Sequence, residues 1–161
     1  ILDTYYPDKK LQEVIIEILD NFEKEMKYRP FADAMKFVEE LNERGIRTCI
    51  VTSSSMIKMN NAFEQLPGFR DMFDGLITGD MVKNCKPDPE GYLMAADMLG
   101  LKPENCYVFE DSLQGIQAGI NAGCKVVALT TTVARERIEE LEANKIMDSF
   151  NGFGVDEMLA L

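Results

Sequence analysis

Glu110 and Asp111 stand side by side directly after the apolar run Val108-Phe109, and Ser112 follows them. Two adjacent carboxylates at the end of a buried strand are costly to place unless a cation meets them. Mg²⁺ suits such a pair, because it takes hard oxygen ligands and keeps several waters. Asp111 or Ser112 could also simply cap the helix that follows, but the pairing of the acids favours the metal. A second cluster, Thr52-Ser53-Ser54-Ser55, offers hydroxyls and free backbone N–H groups at a helix start, where an oxyanion is held well. Alone it reads as an ordinary Ser/Thr cap. A third, Lys86-Pro87-Asp88-Pro89, sets a lysine before a rigid turn, placed to neutralise a phosphate. Alone, Lys86 reads as a solvated surface lysine.

Strands must position these clusters. Apolar residues at Leu11, Val14, Ile15, Ile18, Leu19, Phe22 and Met26 predict a helix over Leu11–Met26. The Tyr28-Arg29-Pro30 break ends it. A second helix is expected from Phe31 to Arg44, stopped by Gly45. Ile46–Val51 is short, apolar and β-branched, a buried strand. Then come a helix over Met56–Leu66 and a strand over Phe73–Thr78. A further helix opens at Asp88-Pro89, with Asp as cap and Pro in the first turn, and ends at Gly100. Cys106–Phe109 predicts a strand, Leu113–Ala122 a helix stopped by Gly123, and Lys125–Leu129 a strand. A charged helix over Val133–Ala143 and a short one over Val155–Leu161 complete the pattern. Strands alternating with helices predict an α/β fold, a Rossmann-like parallel sheet with helices on both faces. In such sheets ligands sit at the carboxyl ends of strands, and all three clusters fall there.

Composition narrows the class. The 161 residues make one domain by length, and at 46% hydrophobic they can build a core. The net charge of −11 repels nucleic acid and anionic membrane surfaces, so neither is an expected partner. A small phosphorylated substrate remains compatible, because local donors can hold an anion. Histidine is absent, and none of the four cysteines, Cys49, Cys85, Cys106 and Cys124, is spaced as C-x-x-C, which argues against structural zinc. Cys49, Cys106 and Cys124 lie in or beside apolar stretches and read as buried free thiols, which suits a cytoplasmic location.

Together and in this order, the clusters are far more specific than apart. Cys49-Ile50-Val51-Thr52-Ser53-Ser54, Cys85-Lys86-Pro87-Asp88-Pro89-Glu90-Gly91-Tyr92 and Val108-Phe109-Glu110-Asp111-Ser112-Leu113-Gln114-Gly115-Ile116-Gln117-Ala118-Gly119 resemble the haloacid dehalogenase superfamily. The last stretch is close to the form seen in β-phosphoglucomutase-like members. The resemblance covers nearly everything from Arg29 onward. A response-regulator receiver also uses acids, a Thr and a Lys, but there the acidic pair comes first.

The resemblance implies roles residue by residue. Thr52 would hold the transferring phosphoryl group with the Ser53 backbone, and Lys86 would offset charge on nucleophile and phosphate. Glu110 and Asp111 would be the acidic Mg²⁺ pair. Ser54 and Ser55 would lie where sugar-phosphate members reach the far end of the substrate. The superfamily's first motif, an apolar strand followed by Asp-x-Asp, supplies the nucleophile and the general acid–base group. Neither Asp3, after Ile1-Leu2, nor Asp74, before Gly75, matches it. Residues 1–28 are therefore expected to be the remnant of a helical cap, and 29–161 a core lacking its first, central strand. That strand would come from a missing N-terminal segment or from a second chain, and the chain as given would be inactive alone. The expected function is Mg²⁺-dependent phosphoryl transfer on a small phosphorylated metabolite by a sugar-phosphate mutase of β-phosphoglucomutase type. A sugar phosphatase is the alternative. An inactive relative that binds a phosphorylated ligand or a protein is the alternative from another class. A dehalogenase fits less well, because the Lys-Pro and Glu-Asp combination suits Mg²⁺.

Overall fold

In the computed structural model, residues 5–161 are described, so Asp3 lies outside the described residues. Asp8 opens helix α1 (Lys9–Glu25), its carboxylate accepting from the Lys10 N–H. The apolar stripe of α1 is not a core face: Leu11, Val14, Ile18 and Phe22 are exposed. Helix α2 (Ala32–Glu43) leads into strand β1 (Cys49–Val51), and α3 (Met56–Gln65) into β2 (Gly75–Ile77). Helix α4 (Glu90–Met98), β3 (Tyr107–Glu110), α5 (Leu113–Asn121) and β4 (Lys125–Leu129) follow. The chain ends with α6 (Arg135–Ile138), β5 (Lys145–Met147) and α7 (Val155–Leu159). Helices α2, α4 and α5 stop where glycines adopt left-handed backbone, Gly45, Gly100 and Gly123, at φ 66°, 65° and 77°.

Every strand pair is parallel. Alternation along β3 and β4 feeds two cores, one on each face. Val108, Val126 and Ala128 pack with Ile116 and Ala118 of α5 and with Ile138. Tyr107, Phe109, Val127 and Leu129 pack with Phe37 and Leu41 of α2 and Met158 of α7. Both sheet faces are thus covered, as parallel sheets require. Among the described residues no helix is long and apolar enough to cross a membrane.

The strands form two ladders, β1–β2 and β3–β4–β5. Among the described residues, the facing edges of β1 and β3 carry no ladder. A cavity of about 400 Å³ lies between them, walled by Phe37 and Val38 on one side and Ala95 and Ala96 on the other. Cys49–Val51 of β1 and Tyr107, Val108 and Phe109 of β3 line it.

Several expected boundaries move. The helix expected over Val133–Ala143 shrinks to α6, because Ile138 turns into the core and Asn144 pairs with Val126. The Val126 N–H donates to Asn144 Oδ1 at 2.7 Å, and the Asn144 N–H to the Val126 carbonyl at 2.8 Å. That pairing starts β5, which the sequence pattern does not announce. The strand expected over Cys106–Phe109 shifts by one residue, since the Cys106 N–H closes a turn onto Pro103. Glu110 therefore lies in the ladder, opposite Ala128. Helix α4 begins one residue late, at Glu90, with Pro89 at the cap position, while Asp88 Oδ1 still accepts the Glu90 N–H at 3.0 Å. All four cysteines are free; Cys85 is exposed, and Cys49, Cys106 and Cys124, expected to be buried, are only partly so.

Candidate functional site

Thr52 leaves β1 with its N–H bonded to the Ile77 carbonyl at 2.9 Å. Its Oγ1 accepts from the Ser54 N–H at 3.1 Å, which bends the chain sharply toward α3. Ser55 is the cap of α3, its Oγ accepting from the Lys58 N–H at 3.3 Å. Asp80, a residue sequence reasoning did not single out, takes the Met56 N–H at 2.6 Å. Much of the α3 start is therefore satisfied by protein, and Ser53 is the exposed member of the loop. A cleft of about 530 Å³ opens over Thr52–Ser55, with Ile16 and Leu19 of α1 along its far wall.

Lys86 reaches across from the loop before α4 to the ends of β1 and β3. Its ammonium donates to the Val51 carbonyl at 3.3 Å, to Tyr92 Oη at 3.0 Å and to Glu110 Oε1. The Lys-Pro turn is held by Asn121, whose side-chain amide donates to the Pro87 carbonyl at 3.0 Å. Lys86 thus ties the end of β1 to the end of β3 and is far from a solvated surface lysine.

Glu110 and Asp111 have different surroundings. Glu110 Oε1 takes Lys86 and the Tyr92 hydroxyl, the latter at 2.5 Å. Its Oε2 takes Ser112 Oγ at 3.1 Å, with the Asp111 and Ser112 N–H groups at 3.3 and 3.4 Å. A Cβ on Gly115 would come within 2.1 to 2.3 Å of this carboxylate, so only glycine leaves it room. Burial, and then the Glu110 charge, push the Tyr92 phenol far above its ordinary range, so it stays protonated and donates. Ser112 caps α5, accepting the Gly115 N–H at 3.0 Å, so the helix-cap reading holds for Ser112 itself.

Asp111 is held from the next strand end. Thr132 Oγ1 and Thr131 Oγ1 donate to its Oδ2 at 2.5 and 3.2 Å, and its Oδ1 has no protein donor among the described residues. That threonine loop is anchored in turn: Thr130 Oγ1 and Arg135 donate to Asp148 at 2.6 and 2.7 Å. The Thr130 hydroxyl, then Arg135, hold the Asp148 carboxyl below its usual range. Thr131 and Thr132 escaped the sequence reading, and Tyr92 entered it only as the end of the Lys-Pro stretch, with no role. The rule that sites gather at strand ends would have found the threonines, which directly follow β4. Nothing in the sequence ties Tyr92 to Glu110.

These residues fit a hard divalent cation in part. Among the described residues no three Cys, Asp or Glu side chains form a ready cage. Asp111 Oδ1 is one free carboxylate oxygen beside two polar loops, and Mg²⁺ ordinarily uses one or two carboxylates with waters and phosphate oxygens.

Comparison with known proteins places the chain. A family model described as a haloacid dehalogenase-like hydrolase matches residues 2–123. Hexitol phosphatase A of Escherichia coli is 36% identical over 111 residues, covering 68% of this chain and 50% of its own length. A solved haloacid dehalogenase (HAD) hydrolase of Entamoeba histolytica superposes with a TM-score of 0.84 at 22% identity, over 95% of this chain and 71% of that one. A solved β-phosphoglucomutase of Clostridium difficile gives 0.68 at 27% identity, over 80% of this chain and 54% of that one. The chain spans about half the length, or less, of the first curated relatives it matches. With strand-end clusters in the superfamily order on a matching α/β fold, the chain belongs to the haloacid dehalogenase-like hydrolase family.

Proposed function

We propose that this chain carries most of the phosphoryl-transfer site of a Mg²⁺-dependent phosphatase acting on a small sugar phosphate. The observation that supports it best is the Lys86 ammonium, which joins the Val51 carbonyl, one residue before Thr52, to Glu110, one residue before Asp111. The phosphoryl group would lie against Thr52 and the exposed Ser53 backbone, facing the Lys86 ammonium. Ser54 and Ser55, under Ile16 and Leu19, would meet the sugar end. Such transfer needs mainly positioning and charge neutralisation, and this chain supplies a cation, hydroxyls and a metal-facing carboxylate. Bound Mg²⁺ would neutralise charge on the phosphoryl oxygens. Asp111 Oδ1 would hold it, while Thr131 and Thr132 keep Oδ2 engaged. Glu110, expected beside Asp111 as a ligand, has both oxygens turned to protein donors.

The nucleophile belongs, in this reading, to an extended segment lying in the cavity between β1 and β3. Parallel to both neighbours, it would point its carboxyl end at Lys86 and Asp111. An aspartate there would form a bond to phosphorus as the sugar oxygen leaves, and water would then release phosphate. A second reading, a mutase, draws on the Glu110-Asp111-Ser112-x-x-Gly115-Ile116 form and the likeness to a solved β-phosphoglucomutase. The test is turnover by the complete gene product with hexitol and hexose phosphates. Phosphate release that needs Mg²⁺ and is abolished by Asp111→Asn supports the phosphatase. Interconversion of hexose 1- and 6-phosphates without release supports the mutase. Tight phosphate binding without either supports the inactive, ligand-binding relative.

A further inference from the structure

We propose that Tyr92 and Glu110 form a positioning pair that fixes the Lys86 ammonium, with Glu110 acting as the lysine's counter-charge and not as a metal ligand. An ammonium carries three N–H donors. Lys86 spends them on the Val51 carbonyl, Tyr92 Oη and Glu110 Oε1, so its direction is fully determined. The Tyr92 ring lies under the same ammonium, 4.8 Å from ring centre to nitrogen. Tyr92 itself is 7% exposed and donates to the carboxylate it shares with the lysine. The three groups close a ring in which each touches the other two.

Burial makes the ring consequential. The Lys86 and Glu110 side chains are 16% and 10% exposed. A pair so desolvated holds only if the remaining donors and acceptors are matched, and here they are. Glu110 Oε2 faces the start of α5, where Ser112 and two N–H groups meet it. The missing side chain of Gly115 makes the room, since a Cβ there would sit on the carboxylate. Asp111 differs on every count, with one oxygen on two threonine hydroxyls and the other without a protein donor among the described residues. Adjacent acids are thus divided between two tasks: Glu110 holds the lysine, and Asp111 faces the cation.

Tyr92 also belongs to a core cluster, so plain packing is the competing explanation. Tyr92→Phe separates the two, because it keeps the ring and removes only the hydroxyl. This proposal deepens the reading of Lys86 given above, and its readout needs no turnover. Lysines are acetylated briefly at fixed pH, and the rate at each is read by mass spectrometry. Exposed Lys102 serves as the fast reference. Lys125, bonded to Tyr107 Oη at 3.1 Å, reports on general loosening. Mn²⁺ binding is followed in the same variants by paramagnetic resonance. Tyr92→Phe and Glu110→Gln should each raise Lys86 acetylation by about 2- to 10-fold, the factor one hydrogen bond is worth. Lys125 should stay unchanged. Glu110→Gln should leave Mn²⁺ affinity intact, and Asp111→Asn should abolish it. Unchanged Lys86 rates, a rise shared by Lys125, or Mn²⁺ weakened as much by Glu110→Gln as by Asp111→Asn would each overturn the proposal. Failure of the wild type to bind Mn²⁺ would refute the metal site, while the acetylation rates would still decide whether Tyr92 and Glu110 fix the lysine.

Discussion

Gly115→Ala tests the buried lysine–carboxylate arrangement through stability alone. In an ordinary helix the change should stabilise by about 1 kcal/mol, because alanine loses less backbone freedom than glycine. Here the new Cβ would lie 2.1 Å from the Glu110 carboxyl carbon and 2.2 and 2.3 Å from its oxygens. The carboxylate must leave, and Lys86 and Tyr92 then lose their shared acceptor. Breaking a buried pair by displacing one partner costs about 3–5 kcal/mol. Offset by the helix gain, the net destabilisation should be about 2–4 kcal/mol. Urea unfolding gives the number. The decisive comparison repeats the change in a Glu110→Ala background, which removes the three atoms nearest the new Cβ. There Gly115→Ala should be neutral or stabilising by up to about 1 kcal/mol. An equal cost in both backgrounds would show that the clash is not with Glu110, and the argument for the cradle would fall.

Three further outcomes are expected. Removing both hydroxyls that hold Asp111, in Thr131→Val/Thr132→Val, should weaken Mn²⁺ binding by roughly 10- to 100-fold; an unchanged dissociation constant would mean that Asp111 needs no support from that loop. Lys86→Ala should lower the turnover of the complete gene product severely, and a loss confined to KM would contradict a role in the transition state. Burial pushes the Cys49 and Cys124 thiols up from 9.0 to about 11. Below pH 9 both are protonated whether the chain is folded or not, so their contribution to stability is complete there. Between pH 9 and 11 the unfolded chain ionises first and the contribution is lost. The urea midpoint should therefore fall more steeply across that window in the wild type than in Cys49→Ala/Cys124→Ala, and parallel slopes would count against desolvation of these partly buried thiols.

Much of the fold was legible because local signals and tertiary demands agree. The stops at Gly45, Gly100 and Gly123, the apolar run at Lys125–Leu129 and the Ser112 cap each need only near neighbours in sequence. Thr52 and Asp111 directly follow β1 and β3, while Lys86 reaches the ends of those strands from the loop before α4. Illegible parts depend on contacts distant in sequence. Arg135 to Glu142 is good helix sequence, yet burial of Ile138 and pairing of Asn144 with Val126 turn the chain into a three-residue strand. Glu110 and Asp111 look equivalent as text. What separates them is a tyrosine 18 residues away for one and two threonines about 20 residues away for the other. The α1 stripe shows the limit from the other side: its period gives the helix correctly and says nothing of what covers it.

The central claim is that Thr52, Lys86 and Asp111 surround one phosphoryl group and its cation. A crystal grown with Mn²⁺ and inorganic phosphate, measured at the manganese absorption edge, tests it most directly. An anomalous peak is expected on Asp111 Oδ1, with phosphate between it, Lys86 and the Thr52-Ser53 loop. Manganese bound by Glu110, or found only on the acidic surface of Glu136–Glu142 with phosphate absent from Thr52, would contradict it.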